Sequence, residues 1–224
     1  MIDFRGKETA LAAVCLIEGK KIRYEGGGGA SLCQGVGAFI APDKVLTAWH
    51  VVNKMEGITF VNQDGKRAMK KSGAQHPRSI KKDLVIVTLD QPIGNHWLPT
   101  IKREESLLTG IEGIILSRRF NQPQRTQVRF NPLISNVEFR KFPYHIIFNA
   151  AAEITVGHSG SPILNRAGKI ISVVSAGAAP EGHPNADKMI KKDDLMPYVA
   201  ELGNGCPFVA VSPSEFAAFM EAAL

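Results

Sequence analysis

Cysteine is scarce in this 224-residue chain, which has only Cys15, Cys33 and Cys206, with no Cys-x-x-Cys pair. An odd count argues against a complete disulfide framework and leaves room for one bridge at most. Buried free thiols in a reducing compartment fit best. Long apolar runs are missing too. No stretch reaches the ~18 consecutive apolar residues of a membrane-spanning helix. The apolar run TALAAVCLI (9–17) has neither a basic leader before it nor a small-residue cleavage signal after it. These absences point to a soluble, cytoplasmic protein; a secreted chain already stripped of its leader is the alternative.

Other signatures are absent as well. The glycine run YEGGGGASL (24–32) lacks the Lys-Ser/Thr ending of a phosphate loop and reads as a flexible turn. No heptad or solenoid repeat is evident. The net charge is +6, with much of the excess in GKRAMKKSGAQHPRSIKK (65–82) and SRRFNQPQRTQVR (117–129). Neither segment carries the aromatic-rich or zinc-type pattern of a nucleic-acid binder, so both read as solvated loops with at most a preference for acidic partners.

Glycine and proline are abundant, at 21 and 13 residues, and favour many short strands joined by turns. Short apolar runs bounded by Gly, Pro, Asn and Asp recur from about residue 10 to 90: ALAAVCLIEG, VGAFIAP, KVLTAW, GITFVN and DLVIVTL. A linker-like stretch follows, QPIGNHWLPTIKREESL (91–107). A second set of strands begins near 110, with IEGIILS, QVRFNPLI, HIIFNAA, SPILN and KIISVVSAG. The expected organisation is two β units, 1–95 and 96–224. The chain then closes with a helix over about 213–224. Ser212 is its cap, Pro213 its first residue, and Glu215 stands at the capping-box spacing. Phe216, Phe219 and Met220 share one face of it. KKDDLMPYVAEL (191–202) predicts a further short helix, bent or ended by Pro197.

The stretch VGHSGSPIL (156–164) sets Ser159 between glycines in a turn. A serine hydroxyl needs a base to become a nucleophile, and an imidazole base needs a carboxylate to hold its tautomer. Of six histidines, His50 stands out, because it ends the strand-turn-strand GVGAFIAPDKVLTAWH and opens a helical turn. Asp83 stands out among the acids, just ahead of the buried-looking run LVIVT. Taken singly, His50 could plug the core and Asp83 could merely end a basic loop.

Taken in order, they carry more. GVGAFIAPDKVLTAWHVV, KDLVIVTLD and GHSGSPILNRAGKIISVVSAG place His50, Asp83 and Ser159 33 and then 76 residues apart. This set resembles the trypsin/chymotrypsin superfamily of double β-barrel serine peptidases, over about residues 10 to 180. The resemblance implies an all-β fold of two six-stranded antiparallel Greek-key barrels with a C-terminal helix. It implies a serine endopeptidase with His50, Asp83 and Ser159 as its triad and the N–H groups of Gly157 and Ser159 as its oxyanion hole. It further implies a substrate-binding edge at Ser175 and Gly177, a pocket wall including Glu153, Ile154 and Thr155, and no cofactor or metal. The partner implied is a protein or peptide substrate added as a β-strand, with an activating or inhibiting protein as a second kind. Nucleic acid and membrane are not expected.

The chain also departs from the family. His158 stands where the digestive enzymes have an Asp, Val51 stands where a cysteine is usual, and no Ile-Val-Gly-Gly start is present. Activation by a new N-terminus is therefore not expected. The motif GHSGSP is closer in style to bacterial and viral members, so a virus-encoded origin stands beside the cytoplasmic one. Val174 stands where glutamyl endopeptidases use His, which argues against glutamate specificity. Glu153 lies six residues before Ser159, the offset at which an acid selects Lys or Arg; a small apolar P1 residue is the equal alternative. Two other function classes remain: a catalytically silent or partner-gated binding module, and a nucleic-acid binder using the basic loops.

Overall fold

The computed structural model describes residues 7–21, 32–53, 55–106, 112–119, 122–130, 144–154, 157–177 and 205–224. The expected helix at 191–202 and most of the turn at 24–32 lie outside these.

After a short helix, α1 (Lys7–Ala12), the first β unit is built from β1 (Val14–Lys21), β2 (Leu32–Ala41), β3 (Lys44–Ala48), β4 (Met55–Val61), β5 (Arg67–Met69), β6 (Arg78–Ser79) and β7 (Leu84–Thr88). Their order is β5-β4-β1-β2-β3-β7-β6. Strand β4 returns to lie beside β1, so β1 to β4 form a Greek key. The sheet curls into a half-barrel of seven strands rather than a closed six-stranded barrel. Its two ends still approach each other. Lys70 forms a bridge with Leu89, and the Asp90 N–H donates to the Met69 carbonyl at 2.9 Å.

A helical turn, α2 (Trp49–Asn53), follows β3, and the linker contains a second, α3 (Arg103–Ser106). The second unit comprises β8 (Glu112–Arg119), β9 (Gln122–Phe130), β10 (His145–Ala150), β11 (Pro162–Leu164), β12 (Ile170–Gly177) and β13 (Cys206–Val211). These close into a six-stranded barrel, β10-β13-β12-β11-β8-β9. Here β11 returns beside β8, a second Greek key.

Short apolar runs in the sequence supply the core. In β7 the run LVIV is buried throughout, as expected for a strand covered on both faces. Phe130, Phe148 and Phe208 fill the barrel, with the first two rings 4.7 Å apart between centroids and the last two 5.4 Å apart. In the first unit Cys15 is fully buried on β1, and burial pushes its thiol up to about 12, which leaves it inert as a nucleophile.

The chain ends in α4 (Pro213–Ala223), with Phe216, Phe219 and Met220 buried as the spacing predicts. The Ser212 hydroxyl accepts from the Glu215 N–H at 3.3 Å. The reciprocal half of the capping box does not form. The Ser212 N–H donates instead to the Tyr144 carbonyl at 2.9 Å, which frees the Glu215 carboxylate to pair with Lys82 at 2.7 Å. The helix is thereby tied to the turn that carries Asp83. Among the described residues no helix is long and apolar enough to cross a membrane.

Candidate active site

The site is assembled where the half-barrel meets the barrel. Pro42 and Asp43 reverse the chain between β2 and β3, and β3 delivers the chain into α2. His50 is therefore fixed one residue inside a helical turn, at the end of a strand whose last four residues are buried.

Asp83 faces it from the turn before β7. Among the described residues Asp83 is the only non-glycine at positive φ, +53°. Asp tolerates that left-handed conformation better than most side chains. Three contacts lock the pair. The Trp49 N–H donates to the Asp83 carbonyl at 3.0 Å. The His50 backbone N–H donates to Asp83 Oδ1 at 2.9 Å, and His50 Nδ1 lies 2.7 Å from Asp83 Oδ2. The carboxylate can only accept, so Nδ1 carries the proton and Nε2 is left with a free lone pair. The aspartate is the more covered of the two, its side chain 16% exposed against 36% for the imidazole.

Ser159 lies in the second unit, on a turn docked against the first. Its carbonyl accepts the Val36 N–H at 2.9 Å, which docks the serine turn on β2. Gly160 makes that docking possible. It has φ +86°, and a Cβ there would fall 2.0 Å from the Val36 oxygen and 2.2 Å from Thr47 Oγ1. Thr47 in turn donates to the Val36 carbonyl at 2.7 Å, three residues before His50. The turn that bears Ser159 and the strand that leads into His50 thus share one contact. A Gly160→Ala variant is expected to lose about 3 kcal/mol of stability, from overpacking and left-handed strain together. Chemical denaturation checks this; a wild-type midpoint would show that the close docking is not needed.

The N–H groups of the turn divide into two sets. Gly160 donates to the Val174 carbonyl at 2.8 Å and Ser161 to the His158 carbonyl at 3.0 Å. The Gly157 and Ser159 N–H groups donate to no protein oxygen among the described residues. Gly157 adopts φ +98°, a conformation that favours glycine.

The remaining expected residues are less gathered. Glu153 is exposed and Ile154 is buried. Thr155 lies outside the described residues. Gly177 ends β12. The Ser175 side chain is buried, and its Oγ lies 3.0 Å from His145 Nε2. Between Val174 and Ala176 the register against β13 slips, so Ser175 is the extra residue of a bulge, and bulges re-aim side chains.

His145 itself was missed by sequence reasoning. It begins the apolar strand HIIFNA and carries no motif; a buried position at a strand start was its only signal. Burial pushes its imidazole down to about 4, with the Asp83 carboxylate pulling upward against this and His50 adding to the depression. The folded value lies below the ordinary 6.5, so the unfolded chain takes up a proton that the folded chain refuses. Stability is full above 6.5 and falls as the pH drops through about 4. Melting temperature should therefore decline between these limits, and decline less steeply in His145→Gln; equal slopes would rule out this titration.

Among the described residues no cluster of His, Cys, Asp or Glu could hold a metal ion. The arrangement offers an imidazole held by a carboxylate, a serine on a docked turn, and two N–H groups of that turn that meet no protein acceptor among the described residues. These are the parts that acyl transfer requires.

The family profile described as a trypsin-like peptidase domain matches residues 35–173. No curated protein matches the chain in sequence. Two solved structures of the HtrA-type protease AlgW with a tripeptide, one of them a variant, share the fold. Their TM-scores are 0.66 and 0.64 at 16% identity, and each alignment covers 96% of this chain. The chain spans 61% and 62% of the length of those structures.

Proposed function

The chain belongs to the trypsin-like peptidase family, and from that premise we propose that it is a serine endopeptidase acting through an acyl-enzyme. The observation that carries the reading is the two-point grip of Asp83 on His50, at 2.9 and 2.7 Å, together with a serine turn docked on β2 and against Thr47 of β3, the strand that leads to His50.

In this mechanism His50 Nε2 takes the Ser159 hydroxyl proton as Oγ attacks the substrate carbonyl carbon. The carbonyl oxygen becomes an oxyanion, and the free N–H groups of Gly157 and Ser159 are the donors to it. One such donor contributes about 3 kcal/mol of transition-state stabilisation. His50 then gives the proton to the leaving amine, and the peptide C–N bond breaks. Water enters by the same route in reverse, and Ser159 regains its proton. Asp83 stays ionised throughout and stabilises the imidazolium.

The substrate is proposed to bind as an extended strand along the backbone of Ser175 to Gly177. Strand β11 pairs with β12 only as far as Val173, opposite Pro162. Beyond it that side of β12 has no strand partner among the described residues, which supports strand addition there. Glu153, Ile154 and Thr155 are proposed for the P1 wall, with a basic or a small apolar P1 residue as the two candidates. A peptide library digested by the wild type and read by mass spectrometry tests the proposal. Cleavage confined to one P1 class, and absent without His50, is expected. A folded protein that cleaves nothing would favour a partner-gated binding module.

A further inference from the structure

We propose that the buried hydrogen bond between His145 and Ser175 is a positioning clamp that ties the Asp83 turn to the Ser159 turn. The inference rests on the triad reading above.

The bond joins β10 to β12 at 3.0 Å, and both side chains are buried. Its consequence comes from what stands next to each partner. Tyr144 precedes His145. Lys82, the residue before Asp83, places its Nζ 5.9 Å from the centre of the Tyr144 ring. The Tyr144 carbonyl also receives the Ser212 N–H, and the helix it anchors holds Lys82 through Glu215 at 2.7 Å. The start of β10 is thus packed against the carboxylate turn.

Val174 precedes Ser175. Its carbonyl accepts the Gly160 N–H at 2.8 Å and its N–H donates to the Ser161 carbonyl at 3.0 Å. The bulge in β12 is thus bound to the serine turn. The His145–Ser175 bond crosses between these two assemblies. Because β13 lies between β10 and β12 in the barrel order, no backbone ladder joins them directly. The side-chain bond is a direct polar tie across that gap. The bulge is what turns the Ser175 hydroxyl inward to make it. His145 and Ser175 act through Asp83 and Ser159 and are positioning residues in this role.

Two readouts test the clamp at a temperature where every variant is folded. One is the rate of Ser159 acylation by a fluorophosphonate. The other is the low-field proton resonance of His50 Nδ1–H in its bond to Asp83. Ser175→Ala and His145→Phe should each slow acylation about 10- to 100-fold, as a small misplacement of reacting groups does. Their double variant should be no slower than the slower single, and Ser175→Thr should restore the rate. Both single variants should broaden or shift the His50 resonance. Wild-type rates and an unchanged resonance in the variants would overturn the clamp, even if their melting temperatures fell. A wild type that keeps the resonance but never acylates would sink the peptidase reading alone. In that case loss of the resonance in the variants still supports the clamp, and its retention overturns it.

Discussion

Ser159→Ala is expected to lose about 10⁶-fold in kcat while folding as the wild type does. The substitution removes only Oγ. The contacts that hold the turn use backbone atoms, namely the Ser159 carbonyl, the Gly160 N–H and the Ser161 N–H. They survive in the variant, and so do the two free N–H donors. What remains is the catalysis that oxyanion stabilisation and substrate binding supply without a nucleophile, about 10³- to 10⁴-fold over water. If the proposed triad acts as a unit, adding His50→Ala to this variant should cost almost nothing more. Steady-state kinetics on a cleaved peptide checks both statements. Undiminished hydrolysis in Ser159→Ala would assign the activity to another residue.

Asp83→Asn should lower kcat by about 10⁴-fold with little change in stability. Asn, like Asp, tolerates the positive φ of 53° at this position, so the turn is kept. The orientation of the new amide is dictated by the backbone. Its oxygen must stay opposite the His50 N–H, where Asp83 Oδ1 now accepts at 2.9 Å. The NH₂ group then falls on His50 Nδ1, where Oδ2 now sits at 2.7 Å. A donor facing Nδ1 forces that nitrogen to accept, and the proton moves to Nε2. The ring is then held in place with its lone pair pointing away from the serine. Activity within tenfold of the wild type would mean that Asp83 does not set the tautomer.

The parts of this site that could be read from the chain are those in which one short segment does one job. Pro42-Asp43 between two apolar runs announced the β2–β3 hairpin, and Thr-Ala-Trp-His announced the strand end and helical turn. Lys-Lys-Asp-Leu-Val-Ile announced the carboxylate turn before β7. The glycines around Ser159 announced a turn, and Gly160 in fact packs against the Val36 carbonyl. What the chain concealed depends on residues far apart in sequence. The Lys82–Glu215 pair spans 133 residues, and Glu215 is free to make it because the Tyr144 carbonyl takes the Ser212 N–H that a full capping box would bind. The His145–Ser175 bond spans 30 residues and depends on a bulge that a period of two cannot reveal. The near-closure of the half-barrel depends on the curl of the whole sheet, which local pattern does not encode.

The most direct measurement is covalent labelling by a fluorophosphonate with intact-mass and peptide-mapping readout, on the folded wild type and Ser159→Ala. A single phosphonyl adduct on the peptide containing Ser159, absent in the variant, is the result expected of a serine activated by His50 and Asp83. A folded wild type that takes up no label, or a Ser159→Ala variant labelled as fast as the wild type, would refute the triad.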